Sequence, residues 1–189
     1  MLVNNNNSNI NETADTRKFA TITFRLNRKV VETFRKESER SGISINALVN
    51  QVLCHYVDWD SFEPRVGMIP FPKAVLGRIF AELDSGQIAK LASSIGKDTA
   101  IDMAIFMKGR IDILDFVSWI ETRMENSGFE VIHRFDNLKE VHTVTIKHDL
   151  GKNWSLYLKI MLESILSEFF KKPSEFIVSD SMVSASFRA

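Results

Sequence analysis

The sequence predicts an α+β fold in two parts. A β-α-α unit comes first, and a helical segment then leads into a small antiparallel β-β-α-β module. Three observations carry this. Apolar and polar residues alternate with period two over 20–26, apolar residues recur at three- and four-residue spacing through most of 28–126, and alternation returns after Gly128.

The first element is Ala20-Thr21-Ile22-Thr23-Phe24-Arg25-Leu26. Ala20, Ile22, Phe24 and Leu26 would face a core, and Thr21, Thr23 and Arg25 the other side. A lone strand leaves both edges unpaired, so it needs a partner, and the simplest partner is its copy in a second chain. Asn27 suits a helix N-cap, Val30, Val31, Phe34 and Ser38 follow at helical spacing, and Gly42 suits the C′ position. Ser44 caps a second helix with Leu48, Val49, Val52, Leu53 and Tyr56 on one face.

This stretch resembles the ribbon-helix-helix DNA-binding family, the group of the Arc, MetJ and CopG-type repressors. The resemblance rests on Thr21 to Asn27 and on Arg40-Ser41-Gly42-Ile43-Ser44-Ile45-Asn46-Ala47-Leu48. It implies an intertwined homodimer whose paired strands enter the major groove of double-stranded DNA. Thr21, Thr23 and Arg25 would then contact bases, and Ser44, Ile45 and Asn46 at the start of the second helix would hold a phosphate. Arg17, Lys18 and Arg28 are further phosphate candidates. Physical chemistry is consistent with these roles: Arg matches guanine bidentately, Thr can donate, accept or touch a thymine methyl, and a helix N-terminus favours an anion. Residues 17–57 carry eight Lys and Arg against three Glu, a local charge of +5 in a chain of net charge zero.

Composition sets the remaining bounds. The 189 residues allow one or two small domains. The single cysteine, Cys54, excludes an intrachain disulfide, fits a reducing interior and reads as a small core residue. No signal peptide is expected, since Met1-Leu2-Val3 runs straight into four asparagines, and the tail to residue 16 is expected to be disordered. No run of 18 uncharged apolar residues is present, so no membrane partner is expected and the localisation read is cytoplasmic.

Pro64, Gly67, Pro70 and Pro72 mark a linker over 63–72, after a DNA-binding domain at 17–62. Helical patterns follow over 73–83, 87–95, 99–108 and 111–126, with Gly96 expected to stop the second of them and Asp112 favoured near the start of the last. Phe129 to Phe135 reads as a strand, Asp136 to Lys139 as a turn, and Glu140 to Lys147 as a second strand. A long helix spans 154–171, capped by Asn153 and ended by Pro173, and residues 176–187 read as strand, either continuous or interrupted near Asp180. In element order alone this module is similar to ferredoxin-like regulatory modules behind some ribbon-helix-helix regions. Residues 73–189 are accordingly expected to sense a small-molecule effector or to build higher oligomers on DNA.

His133 and His142 flank the expected turn and invite a metal hypothesis, but ordinary sheet histidines are the favoured reading, and no metal or other cofactor is expected. Residues 148–155 combine His148, Asp149 and a helix start, which would line a ligand pocket or simply form a capped turn. No catalytic motif is recognisable, so the chain reads as a regulator of transcription, in the manner of a repressor, and not as an enzyme. Two alternatives stand beside it: an antitoxin that binds a protein partner through its C-terminal domain, and a DNA-tethered enzyme using His148 and Asp149.

Overall fold

The structure is a computed structural model that describes residues 21–109 and 111–188. The chain forms two compact units, dividing after Leu53. The Asn-rich tail, Arg17, Lys18 and Ala20 lie outside the described residues.

In the first unit, α1 (Arg28–Ser41) begins at Asn27, whose side chain accepts from the Lys29 amide at 2.9 Å. It ends at Gly42 in the left-handed conformation (φ 65°), where a side chain would be strained. Next comes α2 (Ile45–His55), whose first turn is capped by Ser44 Oγ accepting from the Ala47 amide at 3.1 Å. The strand expected over 20–26 is not seen: residues 21–27 have no regular secondary structure. A strand requires a hydrogen-bonding neighbour, and none pairs with this segment among the described residues.

The second unit opens inside α2. A π-helical turn (Tyr56–Asp60) buries Trp59, whose indole N–H donates to Glu63 at 2.6 Å. Residues 63–72, expected as a linker, form a turn and then an extended stretch leading to α3 (Lys73–Ala81). A capping box between Asp84 and Gln87 starts α4 (Ser85–Leu91). Gly96, expected to end this helix, does not: a π-helical turn (Ala92–Gly96) runs on into α5 (Lys97–Lys108). Asp112 caps α6 (Ile113–Asn126), accepting from the Leu114 and Asp115 amides at 2.9 and 2.8 Å.

Four strands form one antiparallel sheet in the order β1-β2-β4-β3. They are β1 (Glu130–Asp136), β2 (Val141–Lys147), β3 (Ser174–Ser179) and β4 (Met182–Phe187). Asp136 Oδ1 accepts from the Leu138 and Lys139 amides at the β1–β2 turn, as its side-chain chemistry favours. The β-β-α-β module expected from the sequence is corrected to β-β-α-β-β. The chain reverses at Asp180-Ser181, so the last strand is a hairpin in which Ser179 faces Met182.

Between the two hairpins lies α7 (Lys152–Ser164), which ends in a π-helical turn (Ile165–Phe169). It is the centre of the unit, packing on β3 and β4 on one side and on α3, α4 and α5 on the other. Ile120 and Phe116 of α6, Leu158, Leu162 and Ile165 of α7 and its turn, and Val144, Ile146, Val183 and Ala185 of the sheet form the core. Period-two alternation in β2 puts His142, Val144 and Ile146 inward, while outward Thr143 and Thr145 meet Ser186 and Ser184 hydroxyl to hydroxyl at 3.0 and 2.9 Å. Asn153 does not cap α7: Gly151 occupies that position, and the Asn153 amide turns to α3 instead.

Candidate nucleic-acid interface

Thr21, Thr23 and Arg25 lie exposed on the segment before α1 and share the same parity. They are therefore free to project together if this segment becomes a strand. Arg28 is exposed in the first turn of α1 and lies 3.9 Å from Glu32, a surface pair of little energetic weight. Ser44 and Asn46 are exposed and Ile45 half-buried at the N-terminus of α2. Ser44 Oγ already takes the Ala47 amide, and the first-turn amides of Ile45 and Asn46, which have no partner within the helix, are the ones that can receive an anion. Arg17 and Lys18 lie outside the described residues.

What sequence reasoning did not anticipate is how little the helix pair buries. Among the described residues of the first unit, Ser38 is the sole buried side chain, and α2 has none. Ile22, Phe24 and Leu26 are 69%, 54% and 52% exposed, and Val30, Val52 and Leu53 are exposed as well. Alternation over 20–26 places Ile22, Phe24 and Leu26 against a core, and among the described residues they stand exposed.

Of the four histidines of the second unit, His55 pairs with Asp60 at 3.0 Å, and the other three lie in two separate clusters. His133 stands opposite Val144 and His142 opposite Phe135, so the two are diagonal neighbours on one face and not directly paired. His133 Nδ1 is 3.1 Å from Glu121 Oε1, and its Nε2 is 3.0 Å from His142 Nδ1. His142 stacks on Phe135 at 4.4 Å, and burial first, then the neighbouring His133, push its pKa below the usual value. The histidine pair is thus joined by a direct hydrogen bond, and no group of three metal-ligating side chains exists among the described residues.

His148 and Ser155 are also joined, with Ser155 Oγ 2.9 Å from His148 Nε2. The pair has the composition of a nucleophile and its base, but the hydrogen bonds point the other way. The Leu150 amide donates to His148 Nδ1 at 3.3 Å, so the neutral ring carries its proton on Nε2 and donates to the serine. Ser155 is fully buried, and burial lowers the His148 pKa while the Asp149 carboxylate opposes that shift. The arrangement fastens the end of β2 to the start of α7. Compared with known proteins, this chain matches no family model and no curated protein.

Proposed function

We propose that the protein is a homodimeric, sequence-specific DNA-binding regulator of transcription that acts in the cytoplasm. The observation that carries this reading is the uncovered apolar face of the first unit. Six aliphatic and aromatic side chains stand exposed there: Ile22, Phe24 and Leu26 on the segment before α1, and Val30, Val52 and Leu53 on the helix pair, which buries only Ser38 among the described residues. Burying one such side chain fully contributes about 1.5–3 kcal/mol, so covering the set would supply most of the stability a small domain has. A second copy offers the same face, and two-fold pairing would also give residues 20–26 the neighbour that a strand needs.

In the dimer, the paired segments form a two-stranded ribbon with Thr21, Thr23 and Arg25 of both copies on its outer side. A ribbon of that width enters the major groove. Ser44, Ile45 and Asn46 receive a backbone phosphate on each flank, and Arg17, Lys18 and Arg28 add positive charge. Occupying an operator in this way favours repression, and the second unit adds regulation or higher assembly.

The test is selection from a random duplex library by the purified protein, alongside Arg25→Ala and Thr23→Ala, across a salt series. A palindromic motif that the two variants lose supports the reading. Binding that the substitutions leave unchanged, or no binding at low salt, overturns it.

A further inference from the structure

The second unit carries a pocket of about 530 Å³ that is open to the surface. That is within the range of roughly 300–1,000 Å³ typical of small-molecule sites. Trp119 and Arg123 of α6, Phe129, and Trp154 and Tyr157 of α7 line it, and Ile69 and Phe71 stand exposed at its edge. Of residues 148–155, Trp154 alone reaches it.

The electrostatics of the wall are unbalanced. Arg123 lies with its guanidinium over the Trp119 ring, 5.2 Å from the centroid, and one of its nitrogens donates to Met103 Sδ at 3.4 Å. A thioether is a weak acceptor, and a guanidinium carries five N–H donors. No carboxylate pairs with Arg123 among the described residues, and burial pulls its pKa below the usual arginine value. Lys73, the second cation on the wall, sits over Phe129 at 4.6 Å, but it donates to the Gly128 carbonyl and has the Asp149 carboxylate 4.0 Å away, which leaves Arg123 as the cation to be matched. Glu63 is the acid there, and its carboxylate already accepts from the Trp59 indole. The Trp154 indole N–H is buried and finds no acceptor among the described residues.

A half-buried cation without an anion, beside an aromatic surface large enough for an organic body, defines the missing partner. We propose that this cavity binds an amphipathic organic carboxylate, its aromatic or alkyl body against Trp119, Phe129, Trp154 and Tyr157 and its carboxylate on Arg123. The planar fork of arginine matches a carboxylate with two parallel hydrogen bonds. A neutral ligand would leave the guanidinium unpaired. The inference concerns a site separate from the DNA-binding surface and does not depend on it.

Calorimetric titration of the full chain, without DNA, tests this with decanoate and 1-naphthylacetate against 1-decanol and 2-(1-naphthyl)ethanol. The acids are expected to bind once per chain, about tenfold tighter than the alcohols, the margin of one charge-assisted hydrogen bond. Arg123→Met is expected to remove that preference by lowering acid affinity more than alcohol affinity, and Arg123→Lys to keep part of it. Absence of binding by all four compounds, equal affinity of acids and alcohols, or an undiminished preference in Arg123→Met overturns the proposal. If Arg123→Met does not fold, the comparison of acids with alcohols on the unaltered protein decides alone.

Discussion

One amide nitrogen of Asn153 donates to the carbonyl oxygens of both Phe80 and Leu83, at 2.8 and 3.0 Å. It ties the start of α7 to the C-terminal end of α3, where the last carbonyls of a helix lack partners within it. Asn153→Ala removes both donors and is expected to cost about 1–2 kcal/mol. Asn153→Asp should cost more, because it sets an anion against two carbonyl oxygens at the negative end of a helix. Urea unfolding of the two variants checks this, and equal midpoints for both and the parent would show that the link contributes nothing.

Stability should fall as the solution is acidified from neutrality. His142 and His148 are both held below the ordinary histidine value, in each case chiefly by burial. Asp149 works against the shift at His148, and the positive charge available to His133 adds to it at His142. In the unfolded chain these rings take up protons near pH 6.5, while in the folded chain they remain neutral to lower pH. Their contribution is therefore complete above about pH 6.5 and is lost as pH drops through the depressed folded values. His142 faces Phe135, Phe187 and His133, with Glu121 beyond, so His142→Phe keeps the stacking and removes one titrating ring. Unfolding free energies between pH 7 and pH 5 should show a shallower decline in that variant. An identical slope would exclude His142 as a contributor.

The elements legible in the sequence are those set by neighbours a few residues away. Asn27, Ser44 and Asp112 accept amides two or three residues on, and Gly42 takes the left-handed turn, all as local chemistry requires. The alternation of β2 is legible as well, and the structure shows which side turns inward: His142, Val144 and Ile146. What was not legible depends on residues far apart in sequence. Asn153 has the composition of a cap, and only the arrival of α3 some seventy residues earlier in the chain redirects it. Phe176 to Phe187 is apolar enough for one strand or two, and the pairing of β3 with β4 decides for a reversal at Asp180-Ser181. The cavity draws its walls from the Pro-rich stretch near residue 70, from α6 and from α7, so no single window announces it. Of the candidate interface, the polar side chains are readable as exposed, but the strand that would carry them is not seen among the described residues.

Gly96 illustrates the same point as a prediction. Its backbone is helical (φ −63°), so conformation alone would favour alanine there, by about 1 kcal/mol. Added bulk meets Tyr157: a Cβ would lie 2.5 Å from the phenolic oxygen and 3.0 Å from two ring carbons. That ring is stacked on Trp154 and packed edge-on against Phe80, so it cannot simply swing aside. Overpacking of this kind typically costs about 1–3 kcal/mol, which exceeds the helical gain. Gly96→Ala should lower the thermal midpoint and alter the near-ultraviolet circular dichroism of the Tyr157–Trp154 pair. A variant as stable as the parent would mean that the ring has room to move.

Phe24 tests the need for a second copy most directly. Its side chain is more than half exposed in one chain, on a segment with no regular structure, and in the proposed ribbon it lies on the inner face with Ile22 and Leu26. Phe24→Asp would bury two carboxylates at the centre of the pair, one from each copy, with no cation assigned to either. Sedimentation equilibrium should show a dimer for the parent and a monomer for the variant, with part of the helical signal lost. The near-ultraviolet spectrum of the second unit should persist, because its tryptophans Trp59, Trp119 and Trp154 lie outside the first unit. A parent that sediments as a monomer at micromolar concentration, or a variant that still pairs, would leave the exposed apolar face without the occupant argued for it, and the ribbon would have no means of forming.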